Sequence, residues 1–183
     1  QWLIVKDNGI GMSMQAIKDY LLNFGNSFWA SDLAKEENPG LASSGFKPVG
    51  QFGIGFYSIF MIASEVIVET RVFNESLDSN IKLRFPNGLC LRPIVSQCKG
   101  SSMNVSTIVK VCINPEEIIW NDIVKVRPGM TGIKDFNVPF KDILANITTG
   151  LDVDVYYNEL DNYFGKIHVN IYSESFDKRQ WLI

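Results

Sequence analysis

Histidine is almost absent from these 183 residues, cysteine is scarce, and positive charge is in slight deficit. The single histidine, His168, within "KIHVNIY", reads as an ordinary strand residue and not as a catalytic one. Cys90, Cys98 and Cys112 are odd in number and lack the C-x-x-C spacing of zinc sites. They are expected to be reduced, half-buried packing residues, which implies a reducing, cytoplasmic compartment. Lysine and arginine total 17 against 20 acidic residues, a net charge of −3, so there is no chain-wide basic footprint for nucleic acid. The longest apolar runs, such as "IFMIA", fall far short of the roughly 20 residues that span a bilayer. No charged start precedes an apolar segment and cleavage site, so no signal peptide is read. Repeats and low-complexity stretches are missing too.

What remains is ordinary globular material: 46% hydrophobic and 20% charged residues. A chain of this length suits one domain that buries about two-thirds of its unfolded surface. It has no initiator Met and opens inside "WLIVKD", which reads as a buried central strand. Domains rarely begin there, so upstream residues are expected.

Ser13 can cap a helix carrying Ala16, Ile17, Tyr20, Leu21 and Phe24 at helical spacing, with Gly25 stopping it. Residues 26–50, rich in Ser, Gly, Pro and charge, read as a long loop of the lid type in which Glu36 and Glu37 have nothing to position them. A short apolar helix follows from about Phe52 to Ala63. "EVIVETRVF" alternates as a strand, and "IKLRFPNGLCLRPIV" reads as a hairpin turning at Asn87-Gly88. "MNVSTIVKVCI" is another strand. "PEEIIWNDIVKV" opens as a helix at its proline, with Glu116, Glu117 and Asp122 on a solvated face. A further helix near 138–149 and the strand pair "DVDVYY" and "KIHVNIY" complete the readable part. Trp120 and Trp181 read as core or interface anchors. The class expected is α+β, a mostly antiparallel sheet with helices on one face.

Two glycine motifs carry the chemistry. In "KDNGIGMS", Asp7 ends a strand, Gly9 and Gly11 permit close approach of a ligand, and Met12 offers a soft apolar wall for a flat ring. An acceptor beside an apolar slot suits the amino group of a purine. The same letters also suit a plain strand-to-helix turn. In "VGQFGIGFYS", glycines expose successive N–H groups before a helix whose positive end faces them, an arrangement that cradles phosphate. Phe52, Phe56, Tyr57 and Phe60 can bury the first helical turn, so the run is a turn that becomes a core helix. A tight turn without a ligand remains the alternative. There is no G-x-x-x-x-G-K-[ST], no strand leading into Gly53 as a dinucleotide fold requires, and no H-R-D or D-F-G of a kinase.

In this order, separated by a lid-like loop, the two motifs resemble the GHKL ATPase superfamily, which has the Bergerat fold, a two-layer α/β sandwich. "GQFGIGFYS" is most similar to the heat-shock protein 90 chaperones, and "NFG" at 23–25 is similar to their N-L-G. The resemblance covers residues 3 to about 157. It implies a nucleotide-binding domain over 1–157 and the start of a following segment over 158–183. It also implies that Asp7 accepts the adenine amino group, with Gly9, Ile10, Gly11 and Met12 around the base and Asn23 and Phe24 by the ribose and base edge. Gln51, Gly53, Ile54, Gly55 and Phe56 would hold the phosphates of ATP or ADP. Thr107 would support the adenine through water, although Ser106 stands where the family has Gly and "KGSSM" offers a competing alignment through Ser102.

The family's water-activating Glu and magnesium-binding Asn belong on a helix upstream of the first motif, so no catalytic or metal residue is assigned in this chain. A lysine common after N-L-G is missing, and Trp29 lies near its place. The resemblance implies ATP-driven lid closure switching downstream domains, with client proteins or a homodimer partner. The alternatives are a GHKL switch module of a non-chaperone protein and a nucleotide-binding module without turnover.

Overall fold

Alternation builds the centre of the sheet. In β2 (Ala63–Thr70), Val66, Val68 and Thr70 are buried while the residues between them are not, as a strand with one covered face requires. The computed structural model describes residues 2–46, 48, 50, 52–113, 123–126, 136–148, 153–158 and 164–167. Two compact units emerge, 1–117 and 118–183.

In the first unit, β2 is the middle of a five-stranded, wholly antiparallel sheet. The other strands are β1 (Trp2–Asp7), β3 (Ile81–Leu89), β4 (Ile94–Gln97) and β5 (Thr107–Ile113), in the order β1-β5-β2-β3-β4. Directly opposed residues share a face, so the register sets out rows across the sheet. One row is Val5, Val109, Val68, Leu83 and Val95. Its neighbour is Leu3, Val111, Val66 and Phe85. Val66, Val68, Leu83, Phe85 and Val111 on this face are buried and form the core. The reverse face carries charge: Glu69 bridges Lys110 at 2.9 Å and Lys82 at 3.8 Å, and Glu65 pairs with Arg84.

A 3₁₀ helix, Gly55–Met61, lies on the core face, where Phe56 and Phe60 pack their rings against Phe85 at 5.8 and 5.2 Å. The apolar helix expected from Phe52 to Ala63 is therefore shorter and tighter, and Ala63 already belongs to β2. The Ser13 cap is present: its hydroxyl accepts from the Ala16 N–H at 3.0 Å. The helix is α-helical over Met14–Ala16 (α1) and π-helical over Ile17–Leu21, closed by the Leu22 N–H on the Ile17 carbonyl at 2.9 Å. Phe24 lies beyond its end and is exposed.

Four other expectations are corrected or refined. "WLIV" is an edge strand of the described sheet, with Trp2, Ile4 and Val5 about half exposed. Residues 26–50 are not an unstructured loop. They hold a 3₁₀ turn at Phe28–Ala30, α2 (Asp32–Glu37) and α3 (Pro39–Ser43), with Ser31 capping α2 and Ala34 buried. The hairpin is wider than expected: Gly88 has φ +54° and the Cys90 N–H donates to the Asn87 carbonyl at 3.1 Å, so the chain bends at the pair, but the pairing with β4 already ends at Arg84. β3 runs through that pair to Leu89, and β4 begins at Ile94 opposite Arg84. All three cysteines are free, but Cys90 is exposed where partial burial was expected.

The second unit contains two antiparallel pairs, β6 (Ile123–Val126) with β7 (Phe136–Pro139) and β8 (Val155–Asn158) with β9 (Phe164–Ile167), and the helix α4 (Phe140–Ile147). A helix is present where one was expected near 138–149, and a final strand pair too, but β9 begins two residues before the expected "KIHVNIY", and 168–172 lie outside the described residues. The "IVKV" end of the helix expected from Pro115 is a strand instead. Its start, with Glu116, Glu117, Trp120 and Asp122, lies outside the described residues, as do Gln51, His168 and Trp181.

Candidate functional site

Strand β1 ends at Asp7 directly opposite Thr107 of β5, and Thr107 faces Thr70 of β2. These three residues, continued by Ile81 and Gln97, form the terminal row of the core face. Thr107 and Thr70 are buried, and their hydroxyl oxygens lie 3.1 Å apart. The Thr70 hydroxyl also accepts from the Met12 N–H at 3.1 Å. A hydrogen-bonded line therefore runs from Thr107 through Thr70 to the turn carrying the first glycine motif.

Asp7 is exposed. Its Oδ1 accepts from the Gly9 N–H at 2.9 Å and from the Ser106 hydroxyl at 3.4 Å. The Ser106 N–H donates to the Asp7 carbonyl at 3.0 Å, which ties the end of β1 to the start of β5. Gly11 has φ +69°, and a Cβ there would lie 1.7 Å from the Arg71 carbonyl oxygen. Only glycine fits that approach. The neighbouring Ile10 carbonyl accepts from the Phe73 N–H at 3.0 Å. Asp7, Gly9, Ile10, Gly11, Met12 and Thr107 are thus gathered at one place. The register sets Thr107, and not Ser102, opposite Asp7.

The second motif forms its own cluster. Gly53 has φ +63°, and a Cβ would meet the Asn26 carbonyl oxygen at 2.1 Å. The Gly25 N–H reaches the Gly53 carbonyl at 3.4 Å, and the Phe24 ring packs edge-on against Tyr57 at 5.0 Å. Burial pushes the Tyr57 hydroxyl above its ordinary pKa. Asn23 is exposed and its carbonyl accepts from the Asn26 N–H at 3.2 Å. Gly55 and Phe56 begin the 3₁₀ helix, so their N–H groups have no partner within it. No direct hydrogen bond joins the two clusters among the described residues. They share the core face, and the α1 segment connects them in sequence.

The segment after the first motif is also held. The Ser13 hydroxyl donates to Glu37 Oε1 at 2.6 Å, linking α2 to the cap of α1. Glu37 is therefore positioned, contrary to the expectation for a bare loop. Trp29 packs against Phe28 and Phe46 at 5.3 and 5.1 Å. Sequence reasoning missed Thr70 and Arg71. Thr70 was findable, because it continues the inward period of Val66 and Val68 to the end of its strand.

Known proteins resemble this chain in sequence. The chain is 45% identical over 180 residues to the chaperone protein HtpG of Wolbachia sp. subsp. Brugia malayi (strain TRS), covering 91% of this chain and 28% of that protein. The chain is homologous to the heat-shock protein 90 family. The HtpG of Ehrlichia canis (strain Jake) is 43% identical over 129 residues, 70% of this chain and 20% of that one. For the HtpG of Halalkalibacterium halodurans the identity is 33% over 104 residues, 56% of this chain and 16% of the relative. This heat-shock protein 90 homologue thus spans between a sixth and about a quarter of the length of these relatives. No family model matches the chain. Among the described residues, no helix is long and apolar enough to cross a membrane.

Proposed function

We propose that the chain is the ATP-binding region of a heat-shock protein 90-type ATPase with the Bergerat fold. The observation that carries the reading is the terminal row of Asp7, Thr107 and Thr70, with the Met12 N–H bonded into it and Gly11 pressed on the Arg71 backbone. A carboxylate acceptor, an apolar thioether and a glycine turn suit the amino edge and flat face of adenine. The first-turn N–H groups of Gly55 and Phe56, which have no partner within the helix, follow the positive-φ turn at Gly53 and suit phosphate oxygens. Asn23, Phe24, Gln51 and Ile54 complete the assigned set. Magnesium accompanies the nucleotide in this reading. No residue of this chain is assigned to it.

Residues 26–50 act as the lid over the bound nucleotide, and its closure switches further domains, client proteins or a second copy, in the cytoplasm. Calorimetric titration of ADP into the parent chain and Asp7→Asn tests the reading. The amide presents a donor toward the purine donor, which costs about 1–3 kcal/mol and the charge assistance as well. Binding is expected to fall below detection with the fold intact. Equal affinity in both proteins would remove Asp7 from the site.

A further inference from the structure

Arg71 is almost completely buried, at 1% exposure, and no carboxylate pairs with it among the described residues. Its guanidinium is spent on backbone. Nη1 donates to the carbonyls of Val72, Phe73 and Glu75 at 3.1, 2.9 and 3.0 Å, and Nη2 to those of Ser102 and Met103 at 3.4 and 2.8 Å. One cation thus ties the strand exit at 72–75 to the loop entering β5.

The main chain of the same residue supports the site. Its carbonyl is the surface on which Gly11 turns. Its N–H donates to the Ser106 carbonyl at 3.0 Å, and Ser106 in turn holds the Asp7 carbonyl and carboxylate. Phe73, whose carbonyl the guanidinium holds, donates to the Ile10 carbonyl. Both neighbours of the Asp7 turn therefore converge on Arg71. Its Nε is buried without a hydrogen-bond partner; a buried charge held by carbonyl dipoles alone is costly to place, and a planar fork serves several acceptors at fixed angles where an ammonium cannot.

We infer that Arg71 is a positioning residue: it clamps the 72–75 and 102–103 backbones and thereby fixes the Asp7 turn for reading the amino group of the base. The inference rests on the nucleotide reading proposed above. Its test compares ADP with inosine diphosphate, which carries a carbonyl oxygen where ADP has the amino group, in the parent, Arg71→Lys and Arg71→Gln, with the full chain throughout.

The parent should prefer ADP by about tenfold or more, the worth of a hydrogen bond to a charged acceptor. Both variants should lose most of that preference, falling to within about twofold of equal binding, with a smaller loss for inosine diphosphate itself. A merely structural role would weaken both nucleotides in proportion and leave the ratio unchanged, which would overturn the inference. Failure of both variants to fold would overturn it too, since Arg71 would then be a core element of the whole unit. A parent without any ADP preference would instead sink the nucleotide reading itself.

Discussion

Thr70 and Thr107 face each other across β2 and β5 with their hydroxyl oxygens 3.1 Å apart, both buried, and Thr70 alone accepts the Met12 N–H. With the Asp7 carboxylate on the Gly9 N–H, the Thr70 hydroxyl is one of two side-chain links between the sheet row and the glycine turn above it. Replacing Thr70 with Val keeps the shape but leaves the Met12 N–H and the Thr107 hydroxyl without that partner. Stability to urea should fall by about 1–3 kcal/mol, the cost of stranding a buried polar group. ADP affinity should fall with it, while Ile67→Val on the reverse face of the same strand should cost about 1 kcal/mol and leave affinity alone. Unchanged stability in Thr70→Val would mean that the line of hydroxyls holds nothing.

Glycines 25 and 53 separate two costs. Both have positive φ, +85° and +63°, but a Cβ at Gly25 meets nothing within 4 Å, whereas at Gly53 it meets the Asn26 carbonyl at 2.1 Å. Gly25→Ala should therefore cost only the backbone term, about 1–2 kcal/mol. Gly53→Ala must also displace the Asn26 backbone, so its loss should exceed that of Gly25→Ala by at least about 1 kcal/mol. Denaturant titration of the two variants checks the ranking. Equal losses would show that the 53 turn does not lie against Asn26.

Ser13 serves the helix and the lid at once, accepting from Ala16 and donating to Glu37. Ser13→Ala should cost about 1 kcal/mol through the lost cap. Glu37→Gln spares the cap, so its effect on stability should stay within about 0.5 kcal/mol. Both should speed hydrogen exchange across Asp32–Glu37. In the parent, exchange over residues 26–46 should slow when ADP is added, because a segment with few buried side chains gains order from what it closes over. Identical exchange with and without ADP would make the segment a fixed part of the fold.

Local patterns were readable wherever a local force decides. The alternation of "EVIVET" names a strand with one buried face, because side chains alternate across a strand whatever it pairs with. Ser13 caps its helix because the acceptor and the orphan N–H lie three residues apart in the chain. The glycines of both motifs were legible as turns, and Gly11 and Gly53 have the positive φ that such turns use.

Pairing and burial were not local. A continuous apolar run such as "WLIV" looks the same at a sheet's centre and at its edge, since burial depends on what packs against it. Asn87-Gly88 does mark a bend, with Gly88 at φ +54°, but the width of the hairpin was set by register, in which Leu83 sits opposite both Val68 and Val95. The short helices of residues 26–46 drew their order from contacts distant in sequence, such as Glu37 on Ser13. Arg71 falls inside the expected strand "EVIVETRVF", where nothing in the sequence marks it as buried. Only the approach of five carbonyls from two loops, brought together when β5 docks on β2, makes it a buried cation.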